Sequence, residues 1–339
     1  MSDGETNATA TRKRGLGEMR MDPQGLFMKV PPDPALEPLL TSTDDHFTLA
    51  HLGIVHTSAD SWKLEITDMS GKSRRLTLSD LRALPSRTLT VLMECSGNPE
   101  DPDKPLRIVS NATWHGVAIS DLFTGMRNEG ASHLWLRGED WGSYAGEQIE
   151  GYIKDVPIAK AMNGDALIAY EMNGSPLTPE HGFPLRAVIP GYYGTNSVKW
   201  LSSVSLHASR PDGMFTTRRY NWIEDGGETK PVWEILVNSR LLAPTSGATW
   251  PRGEVAIYGR AWGHAAIARV EYSIDGGTSW KQAGLDSRTD YAWQPFKASW
   301  QQDKSGALTI SVRATDVDGH TQPETLHINR IHQVQVTVD

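Results

Sequence analysis

Cys95 is the only cysteine in this chain of 339 residues, and its thiol could take part in the widest range of chemistry. It stands in the segment MECSGNP (residues 93–99), directly after an apolar run and before a Gly-Asn turn. Functional sites are often built where a strand gives way to a loop. The local sequence leaves three interpretations open: a buried inert thiol, a catalytic nucleophile, or a soft metal ligand.

A single cysteine excludes several kinds of site. Disulfides within the chain, zinc fingers, four-cysteine iron–sulfur clusters and the C-x-x-C-H attachment of c-type haem all need at least two cysteines. The sequence also lacks the H-E-x-x-H, EF-hand and P-loop motifs. A cysteine nucleophile would need a histidine base, and the candidates, none in a protease-like context, are His46, His51, His56, His115, His133, His181 and His207. A metal bound by Cys95 would instead take its remaining ligands from a cofactor.

The composition argues against two classes of partner. The chain has 33 Lys and Arg against 41 Asp and Glu, a formal net charge of -8, whereas sequence-independent nucleic-acid binding needs a basic surface. The sequence contains no apolar run long enough for a membrane span, and no signal-peptide core follows the basic residues 12–14. We therefore expect a soluble cytoplasmic protein with no nucleic-acid partner and no membrane span, or a periplasmic one if a leader has been removed.

The elements that must position Cys95 belong to a region of short strands and helices. The first 38 residues are polar and end in a proline-rich stretch, so we expect residues 1–38 to form an extended arm outside the core. From there to residue 206, apolar runs alternate with helical patterns, which indicates an α+β, mixed α/β domain over residues 39–206. The predicted elements are a strand over Leu89–Met93 and short helices over Asp80–Leu84 (N-cap Ser79), Val117–Phe123 and Asp155–Met162.

The C-terminal part has a different pattern. Alternating apolar and polar residues predict strands over Gly253–Arg260, Ile267–Ile274 and Leu308–Asp316, with Asp-Gly turns after the last two. About seven such runs in about 100 residues predict an immunoglobulin-like sandwich. We therefore expect an all-β domain with its linker over residues 207–339.

Six ordered motifs resemble the sulfite oxidase family of molybdenum enzymes. They are MECSGN (93–98), WHGV (114–117), AYEMNG (169–174), HGFPLR (181–186), PGYYG (190–194) and VKWL (198–201). The resemblance covers about residues 40–206, and GRAW (259–262) with VEYSIDGG (270–277) is similar to the family's C-terminal dimerisation sandwich. It implies a molybdopterin-binding domain over residues 39–206 and an immunoglobulin-like dimerisation domain over residues 207–339.

The resemblance implies a molybdenum held by the dithiolene of a single pyranopterin (molybdopterin), by two oxygen ligands and by one cysteine sulfur, here Cys95. Nothing in the sequence resembles the family's b-type haem domain, so we expect no haem. Electrons would then pass to an external carrier, such as a cytochrome or a quinone-linked protein. We also expect a homodimer formed through the C-terminal sandwich.

The resemblance also implies a set of cofactor-binding residues, because the cofactor carries a phosphate and a hydrogen-bonding pterin. By motif position these are Phe47, Thr48, His51, Asp140, His181 and Arg186, with Asn196, Ser197 and Lys199 at the phosphate end. Each also has an ordinary interpretation: Arg186 as a surface salt bridge, His181 as a turn histidine, Asp140 as a loop cap. It is the joint match that favours the cofactor.

The substrate side of the resemblance is weaker. The family places a tyrosine at a fixed distance after the motif lysine, which makes Tyr220 the predicted catalytic hydroxyl, with Cys95 as the other catalytic residue. Leu49 and Glu100 stand where sulfite oxidases have sulfite-binding arginines. Such arginines compensate the charge of an anionic substrate. The predicted substitutes for substrate binding are Arg107 and Arg218.

We therefore predict a molybdopterin-dependent oxidoreductase that catalyses two-electron oxygen-atom transfer, with a small oxyanion or an S- or N-oxide as substrate. Four alternatives stay open. Two keep the same chemistry: a genuine sulfite dehydrogenase and an S-/N-oxide reductase. The others are a non-enzymatic scaffold with an immunoglobulin-like domain, in which Cys95 is merely buried, and a cysteine hydrolase.

Overall fold

Strands dominate the computed structural model, which describes residues 10–14, 17–32, 36–98, 108–224, 226–324 and 328–339. Within these residues the α-helices are only four or five residues long: α1 (Leu78–Arg82), α2 (Ile119–Leu122) and α3 (Ile158–Ala161). A 3₁₀ turn spans Gly194–Asn196 and a π-helical turn spans Met214–Arg218. The helical share of the N-terminal region is therefore smaller than the α+β pattern predicts.

The strands up to residue 231 are short. In chain order they are β1 (Ala10–Arg14), β2 (Gly17–Gln24), β3 (Phe27–Lys29), β4 (Thr48–Ala50), β5 (Gly53–His56), β6 (Lys63–Thr67), β7 (Ser73–Thr77), β8 (Ser86–Glu94), β9 (Val109–Ala118), β10 (His133–Gly138), β11 (Gly142–Tyr144), β12 (Glu147–Ile149), β13 (Ile153–Pro157), β14 (Leu167–Met172), β15 (Ser175–Pro176), β16 (Arg186–Val188), β17 (Leu201–His207), β18 (Asn221–Ile223) and β19 (Thr229–Pro231).

The C-terminal strands include the longest of the described chain. They are β20 (Asn238–Ala243), β21 (Thr249–Trp250), β22 (Gly253–Trp262), β23 (Ile267–Ser273), β24 (Lys281–Gln282), β25 (Gly284–Leu285), β26 (Gln294–Gln302), β27 (Gly306–Asp316) and β28 (His332–Val338). The three strands predicted over residues 253–260, 267–274 and 308–316 correspond to β22, β23 and β27.

The described residues form two compact units that are not separated by a single cut of the chain. The first unit takes its residues from the ranges 1–30, 46–89 and 113–233. The second unit takes them from the ranges 31–45, 90–112 and 234–339. Cys95 therefore belongs to the same compact unit as the C-terminal strands.

The first unit is built on a sheet with the strand order β13-β10-β17-β6-β7, in which β17 and β6 run parallel and the other pairs are antiparallel. Burial alternates along β10, so that Leu134 and Leu136 enter the core while the residues between them are half-buried. Trp62 is completely buried, and its indole N–H donates to the carbonyl oxygen of Leu201 at 2.9 Å. A second sheet has the order β15-β14-β9-β8, with β16 paired to β14.

The N-terminal strands lie in the segment that the sequence predicts to be an arm. β2 pairs with β5 and β3 pairs with β4, both antiparallel. Met19 and Met21 are completely buried in the core of the first unit, so the expectation that this segment lies outside a core is wrong for β2. Burial alternates over the three described residues Met19, Arg20 and Met21, and the polar composition of the segment conceals this pattern. Residues 1–9, 15–16 and 33–35 of the predicted arm lie outside the described residues.

The short helices differ in their bounds from the sequence predictions. Helix α1 begins after Thr77, not after Ser79, because Thr77 and Asp80 form a capping box in which each side chain accepts from the other residue's backbone N–H. Within the helix predicted over Asp155–Met162, residues 155–157 belong to strand β13 and only Ile158–Ala161 is helical. Likewise, Val117 and Ala118 end β9 before α2 begins.

The second unit contains two sheets that share one hydrophobic core. Their strand orders are β20-β22-β26-β25 and β21-β28-β27-β23-β24. Val255, Ile257 and Phe296 from the first sheet pack into the same cluster as Val270 and Val312 from the second. This is the sandwich arrangement that the alternating pattern predicts.

One position in this sandwich requires glycine because two backbones approach closely. A Cβ atom added to Gly259 would lie 2.0 Å from the carbonyl oxygen of Arg240. Gly259 of β22 pairs with Leu241 of β20, so a side chain there would force the two strands apart.

No helix in the described part of the chain is long and apolar enough to cross a membrane.

Candidate cofactor site

Most of the predicted cofactor-binding residues come together in the first unit, in buried positions. They come from β4 and the residues on either side of it, from the loop after β10, from the loop that leads into β16 and the first residue of β16, and from the 3₁₀ turn and the segment after it. The buried members are Phe47, Thr48, His51, Asp140, His181, Arg186, Asn196 and Ser197. Lys199 is half-buried as a residue.

Arg186 links three segments of this site. Its guanidinium donates to the carbonyl oxygens of His181 at 3.2 Å and Ser197 at 3.0 Å. It also lies 4.7 Å from the centroid of the Trp114 ring, in the geometry of a cation–π contact. Burial lowers the pKa of Arg186 to about 9. The interpretation of Arg186 as a surface salt bridge is therefore wrong.

Lys199 brings a second buried cation to the site. Its Nζ donates to the carbonyl oxygen of Glu180 at 2.9 Å and lies 4.5 Å from the Trp200 ring centroid. Burial, and then the charge of Arg186, lower the pKa of Lys199 to about 7, while Asp140 and Glu180 oppose this shift. Two cations that repel each other inside the protein are stabilised when an anion binds between or beside them.

Two glycines make room for Lys199. A Cβ atom on Gly182 would lie 2.9 Å from Cβ of Lys199, and its φ of +100° also disfavours a side chain. A Cβ atom on Gly138 would lie 2.6 Å from the carbonyl oxygen of Lys199 and 2.9 Å from Oδ1 of Asp140. The glycine of the HGFPLR motif thus has a packing role next to the motif lysine.

Asp140 brings to the site a carboxyl group that interacts electrostatically with Lys199. Burial raises its pKa to about 7, and the charge of Lys199 is the largest opposing influence. Its Oδ1 is buried and has no hydrogen-bond partner among the described residues. A buried carboxyl oxygen without a partner is expensive unless a ligand completes its hydrogen bonds.

His46, which the sequence offered only as a possible base for a cysteine nucleophile, also belongs to this site. It is 1% exposed, its Nδ1 lies 2.9 Å from the carbonyl oxygen of Phe47, and its ring packs edge-on against His181 at 5.2 Å. The Nδ1 contact assigns the proton to Nδ1 and leaves Nε2 as an acceptor. Burial, followed by the charge of His181, keeps the pKa of His46 well below 6.5. The cofactor-binding positions that the resemblance implies begin at Phe47, so they do not include His46.

Several buried polar atoms around these residues share one property: they have no hydrogen-bond partner in the part of the chain that the structure describes. They are His46 Nε2, Thr48 Oγ1, Asp140 Oδ1, Asn196 Oδ1 and the indole Nε1 of Trp114. Native proteins leave few buried polar atoms unsatisfied. Four acceptor-capable atoms and two buried cations fit a bound group that offers N–H donors and carries negative charge.

Asn196 and Ser197 show how the 3₁₀ turn is anchored. The Asn196 amide donates to the carbonyl oxygens of Tyr193 and Val232, both at 3.0 Å, which leaves its Oδ1 available. Ser197 Oγ accepts from the backbone N–H of Ile189 at 3.0 Å. Ser197 is therefore tied to the backbone, whereas Asn196 still presents an acceptor.

Tyr220, the predicted catalytic tyrosine, contacts the predicted cofactor residue His51. The Tyr220 hydroxyl lies 2.5 Å from His51 Nε2. Burial and the charges of Lys199 and Lys154 lower the pKa of His51 to about 4, so at neutral pH the imidazole is uncharged and accepts from the phenol. Tyr220 has φ of +58°, a left-handed conformation that is rare for residues other than glycine.

Lys154 lies under Tyr220 and was also missed by the sequence analysis. Its side chain is completely buried, its Nζ donates to the carbonyl oxygen of Phe215 at 2.9 Å, and it lies 5.1 Å from the Tyr220 ring centroid. Burial lowers its pKa to about 7, against the influence of Asp155. Lys154 directly precedes a segment predicted to be helical, and the structure places it in strand β13.

The predicted substrate residues lie elsewhere or outside the described chain. Arg218 is exposed, and its guanidinium pairs with both carboxylate oxygens of Glu147 at 2.6 and 2.7 Å. Arg107 and Glu100 lie outside the residues that the structure describes. Leu49 is a half-buried residue of β4.

Cys95 lies in the second unit, directly after β8. Its backbone N–H donates to the carbonyl oxygen of Ile108 at 2.9 Å, and its own carbonyl accepts from Asn98 at 3.0 Å. The backbone N–H of Gly97 lies 3.5 Å from Sγ, a donor that stabilises a thiolate. The half-buried thiol is thus held in a tight turn.

Comparison with known proteins finds two family models that match consecutive parts of the chain. The family model described as "Oxidoreductase molybdopterin binding domain" matches residues 51–215, and "Mo-co oxidoreductase dimerisation domain" matches residues 229–337. The mitochondrial sulfite oxidases of Rattus norvegicus and Homo sapiens are each 31% identical, over 91% and 87% of this chain and 62% and 59% of their own lengths. The NADH nitrate reductase of Lotus japonicus is 27% identical over 92% of this chain and 40% of its own length.

The chain thus spans about three fifths of the length of the sulfite oxidases it matches. Among solved structures, the sulfane dehydrogenase SoxCD from Paracoccus pantotrophus superimposes with a TM-score of 0.79. The match covers 98% of this chain and 86% of that chain at 23% identity, and shows a shared fold.

Proposed function

We propose that this chain, which belongs to the sulfite oxidase family of molybdopterin oxidoreductases, catalyses two-electron oxygen-atom transfer at a molybdenum ligated by Cys95. The observation that carries the proposal is the coincidence of two buried cations with unsatisfied acceptors in the first unit. These cations and acceptors suit a cofactor that has a phosphate and N–H groups. Bound molybdopterin would supply the redox metal at which the oxygen atom is transferred.

The residues divide by what they offer such a cofactor. Arg186 and Lys199 hold the anionic end, since charge-assisted hydrogen bonds to phosphate are about twice as strong as neutral ones. Asp140, Asn196 and His46 accept from N–H groups through their unsatisfied atoms. The glycines Gly182 and Gly138 let the chain pack closely against Lys199 and so fix the position of this cation.

Tyr220 is the proposed catalytic hydroxyl. Its hydrogen bond to neutral His51 fixes the direction of the phenolic oxygen. The ammonium of Lys154 near the ring face favours negative charge on the phenol. Tyr220 can therefore orient a substrate oxygen and hold a proton at Oη.

The proposed substrate is a small oxyanion or an S- or N-oxide. The same site would serve a sulfite dehydrogenase or a reductase of S- or N-oxides, and these differ only in the direction of electron flow. Arg218, one proposed source of substrate-binding charge, pairs with Glu147 and would have to leave that pair to bind an anion.

The C-terminal match supports a homodimer with an immunoglobulin-like interface domain. Electrons are proposed to reach an external carrier such as a cytochrome or a quinone-linked protein. The cytoplasmic location and the absence of haem stay predictions.

The test is an activity panel on protein made in a host that produces molybdopterin. Sulfite, S-oxides and N-oxides are assayed with artificial electron acceptors and donors, on the wild type and on Cys95→Ser. We expect turnover of at least one substrate, and its loss in Cys95→Ser while pterin is retained. Full activity of Cys95→Ser would refute the ligand assignment. Activity lost on alkylation of a metal-free preparation would instead favour a cysteine hydrolase.

A further inference from the structure

A buried carboxyl group next to Cys95 has no part in the function proposed above. Glu94, the last residue of β8, is 1% exposed. Its Oε2 accepts from the indole N–H of Trp262 at 2.9 Å, and its Oε1 accepts from the side-chain amides of Asn98 at 3.1 Å and Asn238 at 3.4 Å. Both carboxyl oxygens are therefore engaged by donors of the second unit.

Asn98 connects Glu94 to the turn that carries the thiol. Its backbone N–H donates to the carbonyl oxygen of Cys95 at 3.0 Å, and its side-chain oxygen accepts from the backbone of Ile108 at 3.0 Å. Ile108 in turn accepts from the backbone N–H of Cys95. The carbonyl oxygen of Cys95 is thus fixed by Asn98, and its N–H by Ile108, which Asn98 also contacts. Asn98 is itself held by Glu94.

The network continues from Glu94 into both sheets of the sandwich. Asn238 of β20 accepts from the side-chain amide of Gln322 at 3.2 Å. Gln322 accepts from the backbone N–H of Ala314 in β27 at 2.9 Å and from the hydroxyl of Ser239 at 2.5 Å. Gln322, like Asn238, is 2% exposed.

Stability alone does not account for such a network. A buried carboxyl group with several polar partners is costly to desolvate, and apolar residues of similar volume are often as stable or more so. A fully satisfied polar network does, however, specify one arrangement of the groups that it joins. Here the joined groups are the Cys95 turn and the two sheets of the sandwich.

We propose that Glu94 is a positioning residue for Cys95, and that the sandwich sets the placement of this thiolate through Trp262, Asn238 and Gln322. The inference rests on the proposed function in one respect, because it takes Cys95 as the metal ligand. It adds to the C-terminal unit a role other than pairing two copies of the chain.

The lone cysteine makes the test direct, because a thiol reagent on this chain reports on Cys95 alone. The probe is the rate of iodoacetamide alkylation at fixed pH in folded, cofactor-free protein. We expect Trp262→Phe and Gln322→Leu to change this rate by on the order of tenfold, the scale of effects from residues that support metal ligands. Trp262→Phe removes the indole donor and also makes the buried ring smaller.

Gln294 provides the matched control. It is a buried glutamine of the same unit whose side chain bonds to Ile267 and Asp286, outside the network. Gln294→Leu should leave the alkylation rate within about twofold of wild type, since the three side-chain hydrogen bonds that it removes, against five at Gln322, lie outside the network. Equal effects of Gln322→Leu and Gln294→Leu, or none from either network variant, would overturn the inference.

A second measurement uses the loaded protein. The electron paramagnetic resonance signal of Mo(V), which senses the sulfur ligand, should shift in Trp262→Phe and Gln322→Leu but not in Gln294→Leu. The two proposals fail separately. If the network variants alter alkylation in a protein that never binds molybdenum, the proposed function is refuted and the positioning role stands. If alkylation and resonance are unaltered in a protein whose turnover depends on Cys95, the positioning role is refuted and the proposed function stands.

Discussion

Two buried polar regions of this protein differ in how completely their atoms are paired. Around Arg186 and Lys199 in the first unit, four acceptor-capable atoms and one indole N–H lack a partner in the described chain. In the second unit, Glu94, Asn238 and Gln322 each have both side-chain polar atoms bonded to protein. An unsatisfied buried group costs about 1–3 kcal/mol. The first region is therefore built to be completed by a ligand, and the second to hold its own chain in place.

The largest effect on activity should come from removing the hydroxyl of Tyr220. Tyr220→Phe removes the group that donates to His51, and we expect kcat/KM to fall by on the order of 100-fold with cofactor content unchanged. The matched control is Tyr152→Phe, whose ring stacks on His51 but whose hydroxyl bonds to Thr195. A similar fall in both variants would mean that packing, not the hydroxyl of Tyr220, matters.

Arg186→Met tests the first region as a ligand site. It removes the charge-assisted bonds offered to an anion, about 2–3 kcal/mol, so we expect cofactor affinity to fall roughly 30- to 100-fold. The readout is pterin per chain after gel filtration. The control is Arg210→Met, which breaks the ion pair with Asp155 in the same unit. If Arg210→Met loses as much pterin, the loss reports general destabilisation.

Trp262→Phe tests the second region as structure. It leaves a carboxyl oxygen of Glu94 without its closest donor, and we expect a loss of about 1–3 kcal/mol in unfolding free energy. Denaturant melts of cofactor-free protein measure this. A melt identical to wild type would show that the network is not as tightly coupled as its geometry indicates.

Lys199 gives the first region a pH signature. Its pKa is lowered from 10.5 to about 7, so between these values the unfolded chain binds a proton that the folded chain has released. Stability of the cofactor-free chain therefore rises with pH across this window as far as Lys199 is concerned. Lys199→Met should lower the slope of unfolding free energy against pH by about 1.4 kcal/mol per pH unit, the contribution of one proton. Lys154, with a similar pKa, keeps its share. An unchanged slope would contradict a buried, destabilised ammonium.

The smallest effect is expected at the surface. Arg218→Gln breaks an exposed ion pair with Glu147, and exposed pairs contribute little to stability. We expect the same melting temperature and pterin content as wild type, measured side by side. A rise in KM with both of these unchanged would support the predicted substrate role of Arg218.

The sequence predicts the strands of the sandwich and the motif residues of the first unit for physical reasons. Alternation with period two is a strong local signal in β22 and β27, because one face of each strand is buried. The choice of Arg186 and His181 as site residues followed from motifs. No local signal in the sequence indicates that either side chain is buried.

What the sequence could not predict depends on tertiary packing. His46, Lys154 and Glu94 are polar residues that become buried only because distant segments cover them. The start of α1 turned on a choice between Thr77 and Ser79 that only the reciprocal bonds with Asp80 decide. The assignment of the Cys95 segment to the second unit depends on contacts with residues more than 100 positions away.

The central claim is that the unsatisfied region of the first unit binds molybdopterin. It is tested most directly by measuring molybdenum and pterin per chain in protein purified from a host that makes the cofactor. We predict about one of each per chain in wild type, and a phosphate-bearing pterin released on denaturation. Folded wild-type protein with neither molybdenum nor pterin from such a host would contradict the account.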